Sequence, residues 1–172
     1  VEKAKNADCV VFFGGLNKSD YQDAEGHDRK EYGLPYGQDR VVEALAKANK
    51  NLVFVNISGN PVAMPWKNQV KAIVQGWFLG STAGEALADV LTGRVNPSGK
   101  LPYTWWQKLN DVPAHKLNTY PGTWRKDEKI IDEEYKEGIF VGYRWADKEK
   151  DAPLFAFGHG LSYTTFEYGK DT

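Results

Sequence analysis

Short apolar runs, separated by segments with helical spacing, organise most of this chain. Residues 9–13 and 72–74 are continuous apolar stretches, and residues 52–57 are apolar except for Asn56. All three are rich in β-branched or aromatic side chains, and each predicts a strand. The first run ends at Gly14 and Gly15 and is expected to be buried on both faces of a sheet. Residues 101–105, which follow an Asn-Pro-Ser-Gly turn, predict a fourth strand.

Helical periodicity alternates with these strands. Residues 38–49 form one predicted amphipathic helix, and residues 82–93 form another that opens with a Thr-x-x-Glu capping box and closes at Gly93. Residues 65–70 leave room for a short helix only, and residues 1–7 resemble the last turns of a helix. The alternation predicts the α/β class: a three-layer α/β/α sandwich with a mainly parallel sheet, whose first strands we expect to precede Val1.

Beyond this core the pattern weakens. We assign residues 1–106 to the core, 107–136 to a long surface excursion and 137–168 to a returning segment, all within one domain spanning 1–168. The returning segment includes a strand candidate at residues 138–145. Residues 169–172 are predicted to be a tail.

Size and charge narrow the class of protein. With 172 residues the chain is large enough for one hydrophobic core, and a formal charge of -1 disfavours nucleic acid or an anionic membrane as partner. No apolar run approaches the roughly 18 residues of a membrane span. The lone cysteine, Cys9, lies in the first apolar run and is expected to be a buried, inert thiol.

A charged loop at residues 14–35 is the strongest candidate for function, because connections of this kind normally need only about two to six residues. It should share the carboxyl edge of the sheet with residues 58–60 and with the segment carrying Trp77 and Phe78. Carboxylates beside an aromatic face suit cleavage of a neutral sugar. On spacing alone, Glu25 is more typical of a solvated carboxylate than of a catalytic one. Asp28 with Arg29 is likewise more typical of a structural ion pair than of a sugar clamp.

Other catalytic constellations are not supported by the sequence. The three histidines His27, His115 and His159 have no metal-ligand spacing with one another or with Cys9, so no metal site is expected. A nucleophile elbow, a dinucleotide fingerprint and a phosphate-binding loop are also missing from the sequence, and no cofactor is expected.

Four motifs, in order, resemble glycoside hydrolase family 3, the β-glucosidases and related exo-acting enzymes. They are AEGHDR at 24–29 with Leu34 and Pro35, GW at 76–77 through GEALADVLTG at 84–93, NPSGKLP at 96–102, and EGIFVGYR at 137–144 leading to FGHGLSY at 157–163. Together they span most of the chain. The resemblance implies a retaining glycosidase whose site lies between an N-terminal (β/α)₈ barrel, which carries an Asp nucleophile, and an α/β sandwich, of which this chain is similar to the later part.

The resemblance also implies residue roles. Glu25 matches the Glu that serves as general acid/base, with Asp23, Asp28 and Glu31 as local competitors, while Trp77, Asp28 and Arg29 are expected to contact the substrate. A small carbohydrate and the barrel domain of a parent chain are the expected partners. Because the nucleophile is not expected in this chain, the isolated fragment should be inactive.

Several alternatives stay open. A non-catalytic carbohydrate-binding or interaction domain would use the same aromatic residues without chemistry, and a β-xylosidase would share the motifs of a β-glucosidase. Ser19, Asp20 and Tyr21 superficially resemble the family's nucleophile segment but stand in the wrong domain. The family favours a periplasmic or secreted location, although no signal-peptide pattern begins the chain.

Overall fold

The computed structural model describes residues 1–170, and the chain divides into two compact units, residues 1–83 and the part from residue 84 onward. Residues 171 and 172, the end of the predicted tail, lie outside the described residues. The assignment of residues 1–168 to one domain stays a prediction.

The first unit is built on a three-stranded parallel sheet. Strands β1 (Val10–Gly15), β2 (Leu52–Ile57) and β3 (Ala72–Gln75) lie in the order β1-β2-β3, with Val10 opposite Leu52 and Val53 opposite Ala72. The predicted α/β class with a parallel sheet is confirmed. All three strands begin within a residue or two of the apolar runs that predicted them.

Phe54 and the residues packed against it form much of the core of this unit. Helix α2 (Gln38–Ala48) follows β1 and buries Val42 and Ala46, and the fully buried Phe54 ring packs at 4.5 Å, centroid to centroid, from Trp66. Burying aromatic groups of this size supplies a large share of the hydrophobic stabilisation in a small unit. The short helix α1 (Glu2–Lys5) is tied to the end of α2, because Asn49 donates to the carbonyl of Ala4.

One face of β1 is not buried, which corrects the expectation for residues 9–13. Val11 is 41% exposed and Phe13 is 55% exposed. A continuous apolar run does not reveal which face is covered, because side chains alternate between faces whether or not both have neighbours. Cys9 is exposed as well, so the prediction of a buried thiol was wrong; its Sγ lies 3.2 Å from the Asn51 carbonyl oxygen.

Helix α3 (Ala83–Leu91), which lies in the second unit from Gly84 onward, continues directly from a 3₁₀ turn at Gly80–Thr82. Thr82 is therefore part of a helical turn rather than the predicted cap, whereas Gly93 adopts a φ of 77° where the helix ends. A short helix α4 (Pro113–Lys116) and an exposed antiparallel hairpin of β4 (Thr123–Arg125) and β5 (Ile130–Asp132) occupy the predicted excursion.

Two strand predictions in this unit were wrong. In the described chain, residues 101–105 are irregular, and Trp105 forms an isolated antiparallel bridge with Phe155. Pro102 lacks the N–H that a ladder needs at that position. Residues 138–145 are not a strand either, because helix α5 (Tyr143–Glu149) begins there and buries Trp145.

The returning segment packs against the residues around Trp105 within the second unit. Leu101 donates to the His159 carbonyl at 2.8 Å, and Trp105 donates to Phe155 at 2.9 Å. Trp105 and Trp106 are 1% and 5% exposed, so they form the centre of this unit. Among residues 1–170 the helices are all too short or too polar to cross a bilayer.

Candidate active site

The carboxyl ends of the three parallel strands meet at one edge of the sheet in the first unit. Gly15, at the end of β1, pairs with Ile57 at the end of β2, and β3 ends alongside at Gln75. The segments that leave this edge are the loop 16–34, the turn 58–61 and residues 76–82. Loops at the carboxyl edge of a parallel sheet face a common crevice, which is where ligands bind in such folds.

Both ends of the loop are held by one side chain, Gln38 at the start of α2. Its Oε1 accepts from the Gly15 N–H at 2.8 Å, and its Nε2 donates to the carbonyls of Gly15 at 2.9 Å and Pro35 at 3.1 Å. Gly15 has a φ of 139°, and a Cβ there would overlap the Ile57 carbonyl. Gln38 therefore holds the two ends of the loop close together, as is typical of compact functional loops.

Two further contacts anchor the middle of the loop to the turn after β2. Asp23 accepts hydrogen bonds from the Gly59 N–H at 2.5 Å and from Asn60 Nδ2 at 2.6 Å. Six residues later, Arg29 Nη2 donates to the Pro61 carbonyl at 2.6 Å. The five residues between these anchors, 24–28, are called here the anchored arch.

The turn that receives the anchors is supported by a buried polar network. Asn56 and Ser58 are fully buried, and Asn56 Nδ2 donates to Ser58 Oγ at 2.8 Å and to Gln75 Oε1 at 2.7 Å. Ser58 Oγ in turn donates to the Asn60 carbonyl at 2.9 Å. These hydrogen bonds connect the turn to the ends of β2 and β3, and the Asn56 Oδ1 atom is buried without a hydrogen-bond partner among the described residues.

Glu25 lies in the anchored arch with its side chain exposed. Within residues 1–170 it forms no hydrogen bond and no ion pair. A Cβ added to the neighbouring Gly26 would meet no atom within 4 Å, so the space beside Glu25 is open. The carboxylate is thus free to meet a substrate, whereas its backbone is held on both sides.

The competing carboxylates of the loop differ from Glu25 in their contacts. Both oxygens of Asp23 already accept hydrogen bonds, so protonating this group would disrupt its anchor. Asp20 lies 4.0 Å from His27 Nδ1, and the exposed Asp28 also has an interaction partner. Glu31 is exposed near the end of the loop.

Arg29 is a charged group of this edge whose pKa is shifted by its surroundings. Burial lowers the pKa of its guanidinium, while Tyr32 and Asp23 act in the opposite direction. Arginine remains charged despite such a shift. Its Nη1 is buried without a hydrogen-bond partner among the described residues, and its other terminal nitrogen is occupied by Pro61. Arg29 therefore pins the loop, and the predicted contact of Asp28 and Arg29 with substrate stays a prediction.

The segment after β3 presents two aromatic residues at the same edge. Trp77 is half-buried and has a φ of 55°, a left-handed conformation that costs a bulky residue about 1–3 kcal/mol and is concentrated at functional sites. Phe78 is 40% exposed, and Lys18 of the loop places its Nζ 4.3 Å from the ring centroid. The role of Trp77 as a substrate contact stays a prediction.

A separate open cleft of about 350 Å³ lies within the second unit. Thr104, Tyr143 and Phe157 are among the residues that line it. None of the predicted site residues, Glu25, Trp77, Asp28 and Arg29, lines it. Among residues 1–170, no group of three or more His, Cys, Asp or Glu side chains is placed to hold a metal ion.

Comparison with known proteins identifies the family. Residues 1–143 match the glycosyl hydrolase family 3 C-terminal domain. The chain belongs to this family. A beta-glucosidase of Bacteroides ovatus is 58% identical over 172 residues, which cover 99% of this chain and 22% of that protein. The thermostable beta-glucosidase B of Acetivibrio thermocellus is 47% identical over 165 residues, covering 96% of this chain and 20% of that protein.

Solved structures of family 3 enzymes share the fold. The crystal structure of a beta-glucosidase from Kluyveromyces marxianus in complex with glucose matches with a TM-score of 0.85 and 42% identity, over 96% of this chain and 19% of that one. The Bifidobacterium adolescentis family 3 beta-glucosidase matches with a TM-score of 0.81. This chain therefore spans about a fifth of the length of these relatives.

Two contributors to the edge were missed by sequence reasoning: Gln38, and Asp23 in its role as an anchor. The Gly15 and Gln38 pair joins positions 23 residues apart, and Asp23 meets residues 36 and 37 positions later. Local spacing carries no signal for such distant contacts. The glycine at position 59 was the one available hint, because a Cβ there would lie 2.8 Å from Asp23 Oδ2.

Proposed function

We propose that this chain is the part of a retaining, exo-acting β-glucosidase-like enzyme that supplies the general acid/base, Glu25. The observation that carries the proposal is the state of Glu25: an exposed carboxylate without a partner in the described chain, on an arch anchored at Asp23 and Arg29, at the ligand edge of the sheet. Family membership supports the reaction class.

The mechanism is a double displacement. In the first step the protonated Glu25 gives its proton to the glycosidic oxygen, while a carboxylate nucleophile attacks the anomeric carbon from the other side and the leaving group departs. In the second step Glu25, now a carboxylate, removes a proton from water, which attacks the anomeric carbon and releases the sugar. Retention places the two carboxyl groups about 5–5.5 Å apart.

The nucleophile is proposed to come from a barrel domain elsewhere in the longer enzyme. One carboxylate cannot provide both halves of the displacement, so the 172-residue chain by itself is expected to be inactive. Glu25 is exposed in this chain. The apolar surroundings that favour a protonated acid are therefore proposed to come from the bound sugar, from Trp77 and from the remainder of the enzyme.

The proposed substrate is a small β-glucoside or oligosaccharide cleaved from its non-reducing end. Relatives named beta-glucosidase support glucose as the sugar. A β-xyloside is the runner-up, and comparing kcat/KM for aryl β-glucoside and aryl β-xyloside decides between them.

The test uses the longer enzyme that contains this chain, with Glu25→Ala compared on two substrates. Cellobiose needs protonation of its leaving group, whereas a dinitrophenyl β-glucoside does not. We expect kcat/KM for cellobiose to fall about 10²–10⁴-fold, the usual worth of general acid catalysis, with a much smaller change for the activated substrate.

As a control, kcat/KM on the same two substrates is measured for Glu31→Ala, because Glu31 is an exposed carboxylate of the same loop. An equal loss on both substrates for Glu25→Ala, or a leaving-group effect in Glu31→Ala instead, contradicts the assignment. Calorimetric binding of cellobiose by the 172-residue chain, unaffected by Glu25→Ala, would favour a carbohydrate-binding module. The exposed rings of Tyr21 and Phe78 are what would support that second function.

A further inference from the structure

The anchored arch leaves Glu25 only two residues away from a fixed point. Consecutive Cα atoms of an extended chain advance at most about 3.3–3.6 Å per residue, so the Cα of Glu25 stays within about 7 Å of that of Asp23. Since Glu25 forms no hydrogen bond and no ion pair within residues 1–170, its position depends on the anchors at Asp23 and Arg29.

The Asp23 anchor requires a carboxylate. It receives two N–H donors, one from the Gly59 backbone at 2.5 Å and one from the Asn60 side chain at 2.6 Å, on different oxygens. An asparagine in its place would turn its NH₂ group towards one of these donors and lose that bond. Hydrogen bonds to an ionised acceptor are roughly twice as strong as neutral ones.

The receiving turn is shaped for this carboxylate. A Cβ on Gly59 would lie 2.8 Å from Asp23 Oδ2 and 3.0 Å from the Phe78 ring, so any larger residue would push the anchor away. The buried pair Asn56 and Ser58 holds the turn from below. The turn at Gly59, the carboxylate of Asp23 and the ring of Phe78 therefore lie next to one another.

We infer that Asp23 is a positioning residue for the general acid/base: its carboxylate holds the anchored arch on the turn 59–60 and so holds Glu25 at the reacting oxygen. The inference rests on the proposed function of Glu25. Displacing a catalytic group by about 1 Å can cost about 10²-fold in rate, so loosening the arch should act mainly on the step that needs proton transfer.

The experiment compares Asp23→Asn, Glu25→Ala and the double variant in the longer enzyme, with Asp8→Asn as the matched control. Asp8 is exposed and precedes β1, at the opposite end of that strand from the site. We expect Asp23→Asn to lower kcat/KM for cellobiose by up to about 10²-fold and to change the dinitrophenyl substrate little. In the Glu25→Ala background it should have no further effect, and Asp8→Asn should resemble the parent on both substrates.

Several results would overturn the inference. These are an equal loss on both substrates, an effect that multiplies with that of Glu25→Ala, and no effect of Asp23→Asn. If the loss of kcat/KM in Glu25→Ala does not depend on the leaving group, the proposed function fails. If that loss does depend on the leaving group but Asp23→Asn leaves kcat/KM unchanged, only the positioning role of Asp23 fails. Should Asp23→Asn fail to fold, Asn60→Ala removes one of the two anchoring bonds and is judged by the same criteria.

Discussion

The hydrogen bond between Trp66 and Asp39 offers a quantitative test of how the first unit is held together. Trp66 is fully buried against Phe54, and its Nε1 donates to Asp39 Oδ1 at 2.6 Å. Asp39 lies in the first turn of α2, where a negative charge also meets the positive end of the helix dipole. Replacing Asp39 by alanine leaves the buried indole N–H without its acceptor.

The expected cost follows from that geometry. A hydrogen bond to a charged group contributes about 1.5–3 kcal/mol, and an orphaned buried donor costs a similar amount. For a chain of this size each kcal/mol shifts the melting temperature by about 2–4 °C, so Asp39→Ala should lower it by about 3–12 °C.

The assay is thermal and urea unfolding of the 172-residue chain followed by circular dichroism. Asp39→Asn keeps an oxygen that can accept from Trp66 and should lose much less stability than Asp39→Ala. Asp8→Ala serves as the control at an exposed site. Equal melting temperatures for Asp39→Ala and the parent would refute the reasoning, as would equal losses for the alanine and asparagine variants.

Three further predictions concern the same unit. Burial raises the pKa of Asp39, so the folded state binds the proton more tightly than the unfolded state does. The resulting contribution to stability should be greatest below the unfolded pKa of about 3.9 and be lost as pH rises through the folded pKa. Asp39→Asn should remove this pH dependence of the free energy of unfolding, measured by urea titration at several pH values. Phe54→Ala should cost about 3–5 kcal/mol and Phe13→Ala only about 0.5 kcal/mol in the same unfolding assay, because Phe54 is buried and Phe13 is 55% exposed. Cys9 should react with an aromatic disulfide reagent in the folded chain nearly as fast as in urea, and strong protection would contradict its exposure.

The parallel sheet was predictable because its evidence is local. The β-branched run at residues 52–57 and the helical spacing at 38–48 each identify an element without reference to distant residues, and alternation of the two types then indicates parallel strands. Burial was harder to predict, because the exposed Phe13 and the buried Phe54 belong to equally apolar runs. What covers a strand is decided by packing partners elsewhere in the chain.

The failures in the second unit have the same origin. Residues 138–145 contain several aromatic and β-branched residues and suit a strand by propensity, yet helix α5 begins at Tyr143 and buries Trp145, because tertiary packing outweighs a weak local preference. Gly142, with a φ of 59°, lets the chain turn into that helix.

The candidate site combines a local motif with distant supports. Glu25 could be predicted from the family motif around it, whereas the anchors could not, because Asp23 and Arg29 find their partners 32 to 37 positions later. Long-range contacts of this kind depend on how the loops meet at the edge of the sheet.

The central claim is that Glu25 is the general acid/base, and chemical rescue tests it most directly. In the longer enzyme, Glu25→Ala is supplied with a dinitrophenyl β-glucoside and increasing sodium azide. We expect turnover to rise with azide and the product to be β-glucosyl azide, because a small anion can attack the glycosyl-enzyme without the base that water requires. Turnover independent of azide, with glucose as the sole product, would contradict the assignment.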